Sequence, residues 1–564
     1  MQARPIVAVL LLLATPHLES QEPTNFGATL DVRIINVDVV VRDKAGALVS
    51  GLTASDFVIY ERGKPQPITN FAEYRESAAE TPEQATEAPA VVIKPPQQRH
   101  LVFFFDRLNL RETIPRQEFF AGLRSFITES MRDGDTATVY YFDTSLENRL
   151  PMTEDRAALL ATIDKLADDS KLQLDVADAE KAELTMRSNL SAGEGALMSA
   201  HGLADTTTVD ANTAAFYAAQ RAYDRQRRKV YAINSVIGGV AGLDGRKVMI
   251  LAADRISKFP GMEYGYGGAF NEKELNARGM MDEIVDSANA SGVTIYAYFP
   301  KGLPMDAMAG GAAYELLMND SEVLDSIATR TGGTFAAGGR LSAANLGEAA
   351  KQLDNYYSLA YRAPDSRSDR TRAIRVDVKR AGLEVLTRAA VVDKSEDELL
   401  RDRMISSVLF GMVPSTIPIT LKQGAVRRSG LTTLRVPVEI TIPIAQLTAL
   451  PGRKGYEGSF RVLAVAANSD GNISEVTEKK QAFNIPVKDF EKTRTRTFTY
   501  MLEIVVRDTS DRALVAVIDD LDKDVGYAEV VLDMSKVEKA QPVTNTRKKW
   551  PPIAYPSSPS GSRP

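Results

Sequence analysis

The stretch L-V-F-F-F-D, Leu101–Asp106, decides the fold of this 564-residue chain. An apolar run of that kind reads as a strand buried on both faces, and such strands belong to parallel sheets covered by helices on each side. A second run, V-M-I-L-A-A at Val248–Ala253, also stops on an acid, Asp254. Open α/β sheets bind ligands outside the carboxyl ends of their strands. Asp106 and Asp254 are therefore the leading candidate functional residues. Working outward, Thr138–Phe142, Val293–Phe299 and Tyr356–Tyr361 are further strand candidates. Phe119, Phe120, Leu123, Phe126, Ile127 and Met131 share one helical stripe. Helices are expected over Glu154–Leu166 with Thr153 as N-cap, near Glu274–Ala290, near Ser321–Thr331, and from Arg221 towards Leu243. Strand–helix alternation over residues 100–365 predicts an α/β fold, a doubly wound and mostly parallel sheet. A helical insertion at about 168–215 interrupts it.

The flanks read differently. Residues 28–75 alternate apolar and polar positions around Val37, Val39 and Val41 and predict a small N-terminal β domain. Residues 76–99, rich in Glu, Ala and Pro, read as a linker. Residues 366–393 form an expected β-hairpin extension, with Ile374–Val378 pairing Leu383–Leu386 across Lys379–Gly382. Residues 394–412 are a charged helical connector. Residues 413–535 alternate at Leu434–Ile442, Ser459–Ala467, Thr497–Arg507 and Ala513–Asp519, the pattern of a C-terminal β-sandwich. The tail, 540–564, is rich in Pro and Ser and reads as disordered.

Composition narrows the function classes. Arg4, the apolar run Ile6–Ala14 and the polar exit His17–Glu22 outline a secretory signal peptide over residues 1–21. The expected location is periplasmic or extracellular, and no later segment is apolar enough to anchor the mature chain. There is no cysteine, which excludes disulfides and a lipidated lipoprotein cysteine. The three histidines, His17, His100 and His201, stand in no catalytic or zinc motif. A net charge of −6 gives no sign of nucleic-acid binding. The basic run Arg225-Gln226-Arg227-Arg228-Lys229 reads as a solvated helical face.

Four stretches carry a family resemblance: residues 39–68, 100–110 (H-L-V-F-F-F-D-R-L-N-L), 244–254 (D-G-R-K-V-M-I-L-A-A-D), and 356–365 with 374–385. Over about residues 30–390 the chain resembles the "VWFA-related" proteins described mainly from Acidobacteria, a divergent branch of the von Willebrand factor A (VWA) superfamily. The resemblance implies a divalent cation, Mg²⁺ or Ca²⁺, at the sheet's carboxyl edge. Asp106 matches the first acid of D-x-S-x-S, and Asp254 the acid after the fourth strand. The serine positions hold Leu108 and Leu110, which supply no ligand oxygen, while Asn109 offers an amide oxygen one position away. Thr206, Thr207 or Thr208 would supply the loop threonine. Without a metal, the two acids would simply meet helix N-termini.

The expected function is a non-enzymatic, exported protein-binding or adhesion module. Arg107, Tyr264 and Tyr266 would line its partner edge beside a degenerate metal site at Asp106, Asp254 and Asn109. A structural scaffold of the cell envelope is one alternative. A hydrolase using the Asp106 and Asp254 carboxylates is another.

Overall fold

The computed structural model describes residues 34–75, 92–94, 97–106, 114–168, 207–253, 256–264, 276–299, 312–363, 370–411, 415–452, 455–468 and 471–538. The expected signal peptide, most of the linker and helical insertion, and the tail lie outside them. The first fifteen strands are β1 (Ile34–Asp43), β2 (Phe57–Glu61), β3 (Lys64–Gln66), β4 (Ile68–Tyr74), β5 (Val92–Lys94), β6 (Arg99–Asp106), β7 (Thr136–Phe142), β8 (Leu146–Thr153), β9 (Arg246–Ala252), β10 (Val293–Phe299), β11 (Phe335–Ala337), β12 (Tyr356–Arg362), β13 (Arg370–Val378), β14 (Leu383–Leu386) and β15 (Ala390–Asp393). The helices used below are α1 (Ile114–Ser130), α2 (Arg156–Ala167), α3 (Thr207–Val240), α4 (Arg278–Ser291), α5 (Ala312–Arg330), α6 (Gly339–Asp354) and α7 (Glu396–Phe410).

Strand β6 lies inside a six-stranded sheet of order β11-β10-β9-β6-β7-β8. All its neighbours run parallel except β8, which closes the edge antiparallel to β7. Both faces of β6 are buried, as its apolar run requires. Leu101, Phe103 and Phe105 pack with Phe119 and Leu123 of α1, Ile163 of α2 and Leu346 of α6. Val102 and Phe104 face the other way, onto Val230 and Ile233 of α3, Ile284 of α4 and Val323 of α5. Helix α2 starts later than expected. Asp155, not Thr153, is its N-cap, accepting from the Ala157 and Ala158 amides at 2.9 and 3.0 Å. The Thr153 hydroxyl accepts from the Asp155 amide instead.

Tyr356–Tyr361 does not join this sheet. As part of β12 it runs antiparallel between β1 and β4, in a sheet of order β14-β1-β12-β4-β5. A second sheet, β15-β13-β2-β3, covers it over a shared core of Val37, Val39, Phe57, Ile59, Leu359 and Val376. Residues 34–74 and 356–393 thus make one β-sandwich, and the α/β unit is inserted into it between β5 and β12. The expected hairpin also divides. Ile374–Val378 pairs with β2, whereas Leu383–Leu386 pairs with β1. The chain turns between sheets because Lys379 donates its amide to Asp56 O and Arg380 pairs with the Asp56 carboxylate at 2.8 Å.

Beyond α7, residues 415–538 form two sheets over one core. Thr433–Pro443 pairs along its length with Thr497–Arg507, and Tyr456–Ala467 pairs with Arg512–Asp519. Among the described residues no helix is long and apolar enough to cross a membrane.

Candidate functional site

The carboxyl edge of the parallel sheet is the place to test the sequence expectations. Asp106 ends β6 with its side chain fully buried, and its carboxylate forms an ion pair with the Lys229 ammonium, itself 5% exposed. Lys229 comes from the middle of α3. The expected solvated face over residues 225–229 is therefore corrected in part: Arg227 and Arg228 are exposed, but Gln226 and Lys229 are buried. The reason is helical phase. Ala222, Gln226, Lys229, Val230, Ile233, Val236 and Ile237 fall on one stripe, and that stripe packs against the sheet.

Gln226 holds the segment that follows β9. Its Nε2 donates to Ser257 O and its Oε1 accepts from the Ser257 amide, both at 2.8 Å. Asn319 of α5 does the same for Phe259: Oδ1 accepts from its amide at 3.1 Å and Nδ2 donates to its carbonyl at 3.2 Å. Each side-chain amide satisfies both backbone groups of one residue, as a neighbouring strand would. The Ser257 hydroxyl donates to Asp320, and Lys258 pairs with Glu322. Further on, Gly261 has φ +90° and lies so close to α3 that a Cβ would fall 2.5 Å from Ala219 Cα. Only glycine combines that backbone with that approach. Sequence reasoning missed both amide clasps.

Tyr264, expected on an exposed partner edge, is only 7% exposed. It packs on Ala218, Ala219 and Ala222, and its hydroxyl accepts from Arg225 Nη2 at 3.1 Å. Burial removes it as a contact for a partner. Arg107, Asn109, Asp254 and Tyr266 lie outside the described residues, as does Thr206, and nothing is described of the Thr207 and Thr208 side chains. The structure thus brings Asp106 together with Lys229, a residue not expected at the site.

The implied divalent cation fails its fit at Asp106. A cation there requires a carboxylate open to it and further oxygen ligands. Instead the carboxylate already holds an ammonium within a buried cluster. Among the described residues, no group of three or more His, Asp and Glu side chains is placed to hold a metal ion.

The opposite, amino-terminal edge also carries buried charge. Arg99 Nε donates to both Asp135 carboxylate oxygens at 3.0 and 3.1 Å, and Nη1 donates to Asp354 at 2.8 Å. Nearby, Lys247 Nζ donates to Leu243 O at 2.8 Å and Ala241 O at 3.3 Å, just past the end of α3. Burial, then the charge of Arg388, brings the Lys247 amine down to about 8. Burial likewise lowers His100, whose Nδ1 and Nε2 lie at hydrogen-bond distance from Thr136 Oγ1 and Asp244 O.

No protein-family profile and no curated protein matches the chain. Among solved structures, a von Willebrand factor type A protein from Catenulispora acidiphila is similar at 8% identity, over 54% of this chain and 68% of that one, with a TM-score of 0.24. The conserved hypothetical protein BatB from Bacteroides thetaiotaomicron is similar at 11% identity, over 45% and 86%, with a TM-score of 0.18. A β-glucosidase from Listeria innocua is similar at 10% identity, over 77% and 46%, with a TM-score of 0.13. These are distant likenesses.

Proposed function

We propose that this chain is an exported, non-catalytic protein-binding module of the von Willebrand A type. The observation that carries the reading is the solvent face of α3. Tyr231 is 76% exposed there. It lines a concavity of about 1090 Å³, shared with Phe142, Arg149, Leu409, Ile473 and Arg507, and a smaller one of about 340 Å³ beside α4. Arg227 and Arg228 lie on the same helix face. An exposed tyrosine among arginines is the composition of interface hot spots, which combine a rigid aromatic surface with charge-assisted hydrogen bonding. The partner that fits is a protein segment presenting carboxylates around an apolar anchor. Export rests on the Arg4 and Ile6–Ala14 leader pattern.

The test is comparative capture from envelope extracts by wild type, Tyr231→Ala and Arg228→Glu. A specific partner should be retained by wild type and reduced at least roughly tenfold by either variant, the loss of one hot-spot contact. Equal capture by all three proteins overturns the assignment.

A further inference from the structure

The structure assigns to Lys229 the place of a resident cation at the carboxyl edge: its ammonium, not a divalent metal, is the charge that Asp106 is built to hold. The inference rests on the von Willebrand-type reading of the edge and names its chemistry. Three observations carry it. First, the pair is internal, with side-chain exposures of 0% for Asp106 and 5% for Lys229. A divalent ion would have to displace this buried ammonium from its carboxylate, and a buried charge parted from its counterion is strongly disfavoured. Second, Lys229 is held in register. One turn earlier, Gln226 clasps Ser257 through both of its amide atoms, so α3 can neither rotate nor slide without breaking two buried hydrogen bonds. Third, the two positions that would give a metal its hydroxyl ligands are Leu108 and Leu110.

A partner therefore does not dock on this edge by completing a metal's coordination shell with its own carboxylate. The edge is closed electrostatically from within, and recognition falls to surface side chains.

The experiment uses the full chain and needs no partner, so its failure is separable from failure of the Tyr231 surface. Wild type is melted with Mg²⁺, Ca²⁺ or Mn²⁺ from zero to millimolar levels, and Mn²⁺ binding is followed by electron paramagnetic resonance. The expected result is no saturable shift and no bound Mn²⁺ attributable to Asp106. In parallel, Lys229→Met should lower the melting temperature by roughly 10 °C, because it takes the ammonium away from a buried carboxylate. Lys229→Arg should lose less than half of that. Asp106→Asn combined with Lys229→Met should recover at least half of the loss, since the charges leave together. A saturable divalent shift in wild type that Asp106→Asn abolishes overturns the proposal. Additive rather than coupled losses in the double variant overturn it as well.

Discussion

Arg99 begins the strand that Asp106 ends, so β6 carries a buried charge at each terminus. The guanidinium bridges Asp135 and Asp354 and also donates to Ser130 O, which joins the starts of β6 and β7 to the ends of α1 and α6. Removing Arg99 takes its guanidinium from the buried Asp135 carboxylate, while Asp354 keeps Arg132 at 3.0 Å. Arg99→Leu should cost about 3–5 kcal/mol, read as a fall in urea midpoint at unchanged slope. Lys247 gives a pH-dependent prediction. Its amine titrates near 8 when folded, against an ordinary value of 10.5. Between those values the unfolded chain binds more protons, so the folded state gains stability as pH rises through that window. Relative to Lys247→Met, wild type should become progressively more stable from pH 8 to 10.5 in paired urea titrations. A constant difference would remove the assignment. At this scale the site was partly legible. Asp106 stood out because an acid closed an apolar run. Lys229 was hidden in a basic run, although its spacing of one and four residues from Val230 and Ile233 is the signal that places it inward.

The elements that could be read were those whose surroundings repeat along the chain. Strands β6, β7, β9 and β10 are apolar on both faces, and α1 has an unbroken stripe. Strand β8 is an edge with one face outward and a proline at Pro151, so it carries no comparable run. Strands β13 and β14 were visible as strands, but not their partners. Pairing with β2 and β1 spans more than three hundred residues, and local turn chemistry pointed to a hairpin. Helix α7 was legible as a charged connector, yet it has two working faces. Leu400, Met404 and Val408 pack on Leu463, Val465 and Leu514 of the C-terminal sheets. On the other side, Ser406 Oγ donates to Gly239 O at 2.7 Å and accepts from the Gly242 amide at 2.9 Å. A Cβ on Gly242 would lie 2.3 Å from the Asp402 carbonyl, so α3 and α7 meet only because residue 242 has no side chain. Gly242→Ala should cost roughly 1–3 kcal/mol. Calorimetry should show the C-terminal unit melting separately from the rest.

At the scale of the whole molecule, the order of units along the chain differs from their order in space. A reading by segments separates residues 28–75 from 366–393, but the structure closes them into one sandwich around an inserted α/β unit. Domains with adjacent ends tolerate such insertion. Here the ends are adjacent: Arg99, entering, bonds Asp354, leaving, at 2.8 Å. Residues 97–355 expressed alone should melt cooperatively. A chain lacking residues 34–74 should aggregate, because β12 loses both neighbours and β13 loses β2. Circular dichroism and light scattering on the two fragments decide this.

That shared entrance and exit also determines how tension passes through the molecule. A pull between the N-terminal strands and the C-terminal sheets runs along β1, β12 and β14, whose ladders resist it in shear. The α/β unit sits beside that line and meets it at several places: Arg246 covers Tyr356, which stacks on Tyr74 with ring centroids 4.6 Å apart, and the Ala389 amide donates to Arg330 O at 2.9 Å. Load between the two ends therefore reaches the α/β unit sideways, through these contacts and through the Ser406–Gly239 bond to α7.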